Sequence, residues 1–321
     1  MSDADIVVIG AGLAGLTLAR QLANAGRTVV IVEKSKSPGG RLSTRRSAHG
    51  AFDHGAQYLT CRTPEFTGLI NQLSQTGDMA KWQPGGKDRS GDWWVGQPSM
   101  SALGKALARP LDIRFKTRAM RIEKQTGHCL VHAETEGGSP VIFSASRVIA
   151  AIPAPQAFVL LGPLDPAFSP LNQVGMAPCW TAMLAFEAPL PGVPDLLRGR
   201  DGSILSLIVR NGTKPGRSGE TFVLHATPQW SRAQMQAGPD SVRSAMLEAM
   251  RIETGLGADL PTPVHFETHR WLHALVEKPL GKPFIGNADD TLFACGDWCI
   301  AARAESAHQS GLALAHHIIS L

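Results

Sequence analysis

Apolar runs and helix-spaced positions alternate from the start of the chain. Asp5-Ile6-Val7-Val8-Ile9 is a short β-branched run ended by Gly10, and it predicts a strand buried on both faces. Leu13, Leu16, Ala19 and Ala23 recur at the spacing of one helix face, and Gly26 closes that segment as a C-terminal cap. Thr28 to Val32 is a second buried run, with Glu33 at its end. Together they predict a strand–helix–strand unit. Farther on, the spacing predicts helices over 66–76, 99–108 (capped by Ser99 or Ser101), 241–254 and 302–319. It predicts strands within 81–95 and over 113–124, 129–134, 147–152, 181–186, 203–209, 221–226 and 291–295. Pro153 to Pro170 reads as a proline-rich crossover at a domain junction. No internal repeat is visible.

Composition narrows the class. At about 100–200 residues per domain, 321 residues suggest two domains. Charged residues make up only 18%, against a usual ~25%, so much of the chain is expected to be buried. The net charge of +4 comes without a sustained basic stripe, which argues against nucleic-acid binding. No apolar stretch reaches the ~18 residues of a membrane span without interruption. The start, Met1-Ser2-Asp3-Ala4-Asp5, is acidic where a secretory leader is basic. Cys61, Cys129, Cys179, Cys295 and Cys299 are scattered with no C-x-x-C pair, so reduced thiols in a cytoplasm are expected. No His/Glu spacing recommends a metal, and Ser99-Met100-Ser101 is helix-capping chemistry rather than a nucleophile elbow. The oligomeric state stays open.

The chemistry starts at Gly10-x-Gly12-x-x-Gly15, between the first strand and its helix. Such glycines allow a tight turn and close approach of a pyrophosphate to the free N–H groups of a helix N-terminus. Glu33 lies 23 residues after Gly10, where a carboxylate accepts hydrogen bonds from a ribose diol and repels a 2′-phosphate. These features predict dinucleotide binding and leave FAD and NAD open. Gly39-Gly40-Arg41 adds backbone access and a guanidinium for a phosphate. Asp53-His54-Gly55-Ala56-Gln57-Tyr58 follows, and Ala294-Cys295-Gly296-Asp297 leads into the small-residue segment 304–311.

With those segments, and with Leu224-His225-Ala226-Thr227, Trp230-Ser231, His269-Arg270-Trp271 and Ser310-Gly311, the chain resembles the FAD-dependent amine-oxidase-like flavoproteins, most nearly the bacterial renalases among them. The resemblance covers most of the chain. It implies an α/β protein: a Rossmann-type FAD-binding domain interleaved with an α+β substrate domain (a mixed or antiparallel sheet plus helices), in the topology of p-hydroxybenzoate hydroxylase and the amine oxidases. The FAD domain would comprise 1–62, 96–157 and 288–321, and the substrate domain 63–95 and 158–287. The resemblance further implies that Gly10, Gly12, Leu13, Ala14 and Gly15 meet the FAD pyrophosphate, Glu33 with Lys34 the adenosine, and Gly40 with Arg41 a phosphate. Ala119, where valine is frequent, would meet adenine through its backbone. Gly296 and Asp297 would meet the ribityl–phosphate region. The helix starting near Glu305, Ser306 and Ala307 would aim its N-terminus at the flavin pyrimidine, and Ala56, Gln57 and Tyr58 would lie beside the ring. A non-covalent flavin is expected; Cys299 reads as a structural thiol.

Substrate contacts are less defined. Tyr58, Trp180, His225, Arg270 and Trp271 are the candidates. The tryptophans wall a flat heteroaromatic ring or simply pack the core. His225 is either a hydrogen-bonded core residue or a pocket residue. Arg270 meets a substrate phosphate or an internal carboxylate, and Arg45 and Arg46 contact an anion or form a solvated loop. No Ser-His-Asp set or carboxylate pair stands out, so no catalytic residue is assigned. A flavin oxidase needs none, because a dihydropyridine nitrogen lone pair pushes hydride to flavin N5 as the ring regains aromaticity. The resemblance implies oxidation of 2- and 6-dihydro isomers of NAD(P)H to NAD(P)+, with O2 reduced to H2O2, as metabolite repair. The small-molecule partners are then a dinucleotide and O2, with no nucleic acid and no membrane. The alternatives are a flavin amine oxidase, for which Lys278 and Lys282 are available lysines, and a non-catalytic flavin-binding sensor.

Overall fold

The computed structural model describes residues 2–85 and 92–321. In chain order the N-terminal half runs β1 (Ser2–Ile9), α1 (Leu13–Asn24), β2 (Val29–Val32), β3 (Arg45–Ser47), β4 (Gly50–Phe52), α2 (Pro64–Gln75), β5 (Met79–Trp82), β6 (Trp93–Gly96), α3 (Ser101–Ala108), β7 (Asp112–Arg114), β8 (Thr117–Gln125), β9 (His128–Thr135) and β10 (Pro140–Ala150). It continues with α4 (Ala154–Leu161), β11 (Gly175–Phe186), β12 (Leu196–Arg198), β13 (Leu205–Arg210), β14 (Glu220–Ala226), α5 (Pro228–Ala233), α6 (Pro239–Thr254), β15 (His265–Lys278), β16 (Ile285–Gly286), β17 (Leu292–Ala294) and α7 (Ala304–Ser320).

Two main sheets organise these elements. An eight-stranded sheet has β16-β17-β10-β1-β2-β7 as its spine, with β9 and β8 added along the antiparallel lower half of β10. β17, β10, β1, β2 and β7 are mutually parallel. Ile6, Val7, Val8 and Ile31 are fully buried between the helices on either face, as the continuous apolar runs predict. α1 crosses α7 at close range: a Cβ on Gly311 would lie 2.4 Å from the Ala14 carbonyl oxygen. The second sheet, β12-β13-β14-β11-β15, is antiparallel. One of its faces packs on α6 through Trp180, Leu184, Phe222, Leu224, Val242, Met246 and Met250. The fold is therefore the expected α/β architecture, with a Rossmann-like unit beside an α+β unit.

Several local expectations change. The proline-rich crossover over 153–170 is largely helical: Pro153 precedes α4 as its cap, and Asp165 caps a 3-10 turn over Pro166–Gln173 by accepting from the Ala167 amide. Proline supports helix starts, so the same prolines that read as breakers act as initiators. Neither Ser99 nor Ser101 caps α3; their hydroxyls pair with each other at 3.0 Å, and Met100 holds the cap position. The 14-residue strand β15 has nine half-buried and five exposed positions, none fully buried, and carries three histidines, so its period of two is weak in the sequence. Within 81–95, the described strand residues form a β5–β6 hairpin; 86–91 lie outside the described residues. We propose the domain division given above as the working one, noting that α2 and the β5–β6 hairpin share an apolar cluster with α1.

Candidate functional site

The β1–α1 turn is shaped by contacts that exclude side chains. A Cβ on Gly15 would sit 2.2 Å from the Gly10 carbonyl oxygen, and Gly10 itself is held at φ +106°. Gly12 differs: a Cβ there would meet nothing within 4 Å, so its side faces open space. No side chain caps α1 and no acidic residue lies in its first turn. Its N-terminal amides and positive dipole end are therefore available to an anion. Gly39 pairs with this turn, donating to the Ala11 carbonyl at 2.8 Å, and Gly40 comes within van der Waals reach of Gly12. Glu33 accepts from the Ala11 amide and the Ser35 amide, each at 2.7 Å, which fixes its carboxylate at the end of β2. Lys34, Lys116 and Arg118 line an open groove of about 450 Å3 at this end. Ala119 lies beside it on β8. A dinucleotide cofactor fits this cradle: an uncapped helix end, Gly12 turned to open space and a fixed carboxylate.

The other end of the chain closes on the same place. Arg41 grips Asp297 through two N–H···O bonds of 2.5 and 2.8 Å and donates to the Ala274 carbonyl at 3.0 Å. The two groups expected on the cofactor phosphates thus hold each other. Gly55 packs on the Arg41 backbone, where a Cβ would come within 2.0 Å of the carbonyl oxygen, and the Ala56 amide donates to that oxygen at 2.9 Å. α7 has no side-chain cap. Glu305 turns away from that end: its carboxylate accepts from the amides of Arg62 and Thr63, at 2.8 and 2.7 Å, and from the Thr63 hydroxyl. Glu305 thereby ties the start of α7 to the residues that precede α2, while Ser306 and Ala307 are buried behind it.

The second sheet brings some pocket candidates together and separates others. Thr181 is the register partner of both His225 and His269, and Trp271 lies on the same face of β15 as His269. That face meets the 53–58 segment. The Trp271 indole N–H donates to the His54 carbonyl at 3.0 Å, and its ring stacks on His54 at 5.1 Å, with His269 edge-on to both. Trp180 and Arg270 are register partners on the opposite face. Trp180 packs toward α6 and donates to the Gln234 carbonyl at 3.1 Å, and the exposed Arg270 guanidinium lies over its ring at 5.6 Å. Strand alternation therefore places His225 and Trp271 at the site and leaves Trp180 and Arg270 away from it. Tyr58 stacks on Trp93 at 3.8 Å with a 9° tilt, and Trp82 completes an aromatic wall.

Sequence reasoning missed the charges beneath this site. Asp53, Lys214 and Arg217 have fully buried side chains. Asp53 Oδ1 accepts from the Thr44 hydroxyl (2.8 Å) and the Met100 amide (2.9 Å); Oδ2 takes Lys214 (3.4 Å) and Arg217. Lys214 also donates to Gln57 Oε1 at 2.9 Å and Asn211 Oδ1 at 3.3 Å. Burial pushes the Lys214 ammonium down to about 8, against the pull of Asp53. Burial also acts to raise Asp53, but Lys214 and Arg217 outweigh it and hold the carboxyl below its ordinary value. The histidines stay neutral: burial lowers His225 to about 4 and His54 to about 3. Lys214-Pro215-Gly216-Arg217 reads locally as an exposed basic turn, and nothing in it signals a carboxylate some 160 residues away. Lys278 and Lys282 are exposed. Arg45 pairs with Glu267 at 2.6 Å, and Arg46 donates to Ser99. Cys299 is buried, and that burial pushes its thiol up to about 12.

Known proteins carry the same patterns. Residues 8–73 match the model of an NAD(P)-binding Rossmann-like domain, and residues 85–319 match that of flavin containing amine oxidoreductases. Putrescine oxidase of Kocuria rosea is 40% identical over 72 residues, 22% of this chain and 15% of the relative. Hydroxyneurosporene desaturase of Cereibacter sphaeroides is 46% identical over 57 residues, 18% of this chain and 12% of the relative. The alignment thus spans a small part of these curated relatives' lengths. Among solved structures, a redesigned putrescine oxidase superposes with a TM-score of 0.75 at 13% identity, covering 99% of both chains. A protein assigned as a protoporphyrinogen oxidase from Exiguobacterium gives 0.76 at 13% identity, covering 100% of this chain and 99% of the other. At that identity the likeness is one of fold.

Proposed function

This chain belongs to the flavin containing amine oxidoreductase family, its cofactor is FAD, and on that premise we propose that it oxidises dihydronicotinamide dinucleotides of the wrong isomer, the 2- and 6-dihydro forms of NAD(P)H, to NAD(P)+. Held by the α1 turn and Gly39–Gly40, FAD would supply the hydride acceptor, with O2 as the final oxidant and H2O2 as its product. One observation supports the substrate class: among the described residues, the carboxylates around the site are engaged. Asp53 is held by Lys214 and Arg217, Asp297 by Arg41, Glu267 by Arg45, and Glu305 by backbone amides. The buried network of Asp53, Lys214 and Arg217 carries one more cation than anions. Among the described residues such a site offers no free carboxylate to a substrate ammonium and favours an anionic dinucleotide.

In this reading the α1 turn and Gly39–Gly40 hold the FAD diphosphate, and Glu33 holds the adenosine ribose. Ala56 and Tyr58 flank the ring non-covalently. Trp271, His225 and the Tyr58–Trp93 stack orient the flat nicotinamide and exclude water. No side chain has to accept a proton, which agrees with neutral histidines and a fully paired Asp53. The aromatic wall of Tyr58, Trp82 and Trp93 favours the second reading, an amine oxidase with an apolar amine site. Oxygen consumption separates the two. We expect turnover with the isomeric dinucleotides and none with putrescine or aryl amines. Turnover with an amine but with no isomer overturns the proposal.

A further inference from the structure

We propose that Gln57 is a positioning residue that fixes His225 in the tautomer with its proton on Nδ1 and its Nε2 turned to Gln57 as an acceptor. The inference rests on the reading that the sheet face carrying His225, His269 and Trp271 borders the substrate site. Gln57 is only 4% exposed, and each of its polar atoms is engaged inside the protein, so it acts through a neighbour.

Two independent contacts orient its amide. Lys214 Nζ has only hydrogens to offer, so the amide atom 2.9 Å from it is the oxygen. The other amide atom faces the carbonyl oxygens of Asp53 and Gly55 (the latter at 3.0 Å), which only accept, so it is the nitrogen. That nitrogen lies 3.2 Å from His225 Nε2. An amide nitrogen can only donate, so a hydrogen bond between it and the imidazole must run from Gln57 to His225. His225 Nε2 must then accept, and a neutral imidazole that accepts at one nitrogen carries its proton on the other. Burial keeps the ring neutral, the Lys214 charge adds to that, and a hydrogen bond with the His54 backbone acts in the opposite sense. Asp53 and Asn211 accept from Lys214, and Arg217 in turn holds Asp53, so the orientation is set three residues deep.

The consequence is a half-buried, uncharged imidazole on the sheet face it shares with His269 and Trp271, with no proton on Nε2. Histidine 15N NMR of the FAD-loaded protein tests this, with the His225 signal assigned by its loss in His225→Gln. We expect Nδ1 protonated and Nε2 bare in the wild type. Gln57→Glu replaces the donor by a carboxylate oxygen, so we expect Nε2 to become protonated. The pH profile of turnover should then gain a limb in the acidic range that the wild type lacks. A wild-type His225 protonated on Nε2 or on both nitrogens near pH 7 overturns the inference, whether or not Gln57→Glu folds. The expected tautomer together with no turnover of the isomers would overturn the substrate proposal alone.

Discussion

Asp53→Asn is the sharpest test of the buried charge network. The substitution keeps shape and removes one negative charge between two cations whose side chains have no exposure. Removing one partner of a buried pair costs about 3–5 kcal/mol, because the remaining charge stays desolvated. A second route is cheaper. Lys214 can escape by losing its proton, and because the wild-type fold already holds it at about 8, that step adds only about 1.4 kcal/mol at pH 7 at ~1.4 kcal/mol per unit. The Arg217 charge left without Asp53 adds to it, so a loss between about 1.4 and 5 kcal/mol is expected. The two routes also fix a pH dependence. If Lys214 is neutral in the folded variant, the unfolded chain binds one more proton up to 10.5, and stability rises with pH by about 1.4 kcal/mol per unit between pH 7 and 9. In the wild type this rise starts only above the folded value of about 8. Equilibrium unfolding in urea at pH 7 and pH 9, followed by far-UV circular dichroism, reads both numbers. A loss below about 1 kcal/mol would refute the network's role, as would a loss of full size with no recovery at pH 9 for the neutral-lysine route.

Gly12→Val should leave the fold intact, since nothing lies within 4 Å of the added Cβ, yet abolish FAD retention; purified protein that keeps its full flavin absorbance contradicts the placement of the diphosphate. Acid should destabilise the protein through its histidines: His54 and His225, lowered to about 3 and 4, stay neutral in the fold while the unfolded chain binds protons below 6.5. Stability should therefore fall as pH drops through 6.5, by about 2.7 kcal/mol per unit near pH 5 from this pair, and a flat unfolding midpoint from pH 7 to 5 would contradict that. Arg45→Ala breaks a pair whose side chains are 40% and 34% exposed, so it should cost less than about 1 kcal/mol in the same unfolding assay.

The cofactor half was legible because its signals are local. Gly10, Gly12, Gly15 and Glu33 fall within one strand–helix–strand unit whose period and caps point the same way. The sheet that holds the substrate side was legible as strands but not as faces. Trp180 and Arg270 looked as suitable as Trp271, and only the register, which pairs them on the α6 side, takes them away from the site. The Lys214–Arg217 pair was invisible for the opposite reason: its partner Asp53 is distant in sequence, and a Lys-Pro-Gly-Arg segment is what a solvated turn contains. Glu305 shows a subtler limit. An acid in the first turn of a helix is expected at a dipole end, but here its carboxylate accepts from the amides of Arg62 and Thr63, just before α2.

The most direct test of the substrate assignment is an anaerobic titration of the FAD-loaded protein with purified 2- and 6-dihydro isomers of NAD(P)H, read as flavin bleaching and as NAD(P)+ released. The proposal predicts stoichiometric bleaching with one NAD(P)+ formed per flavin reduced. An unbleached flavin with every isomer, alongside bleaching by an amine, would contradict it.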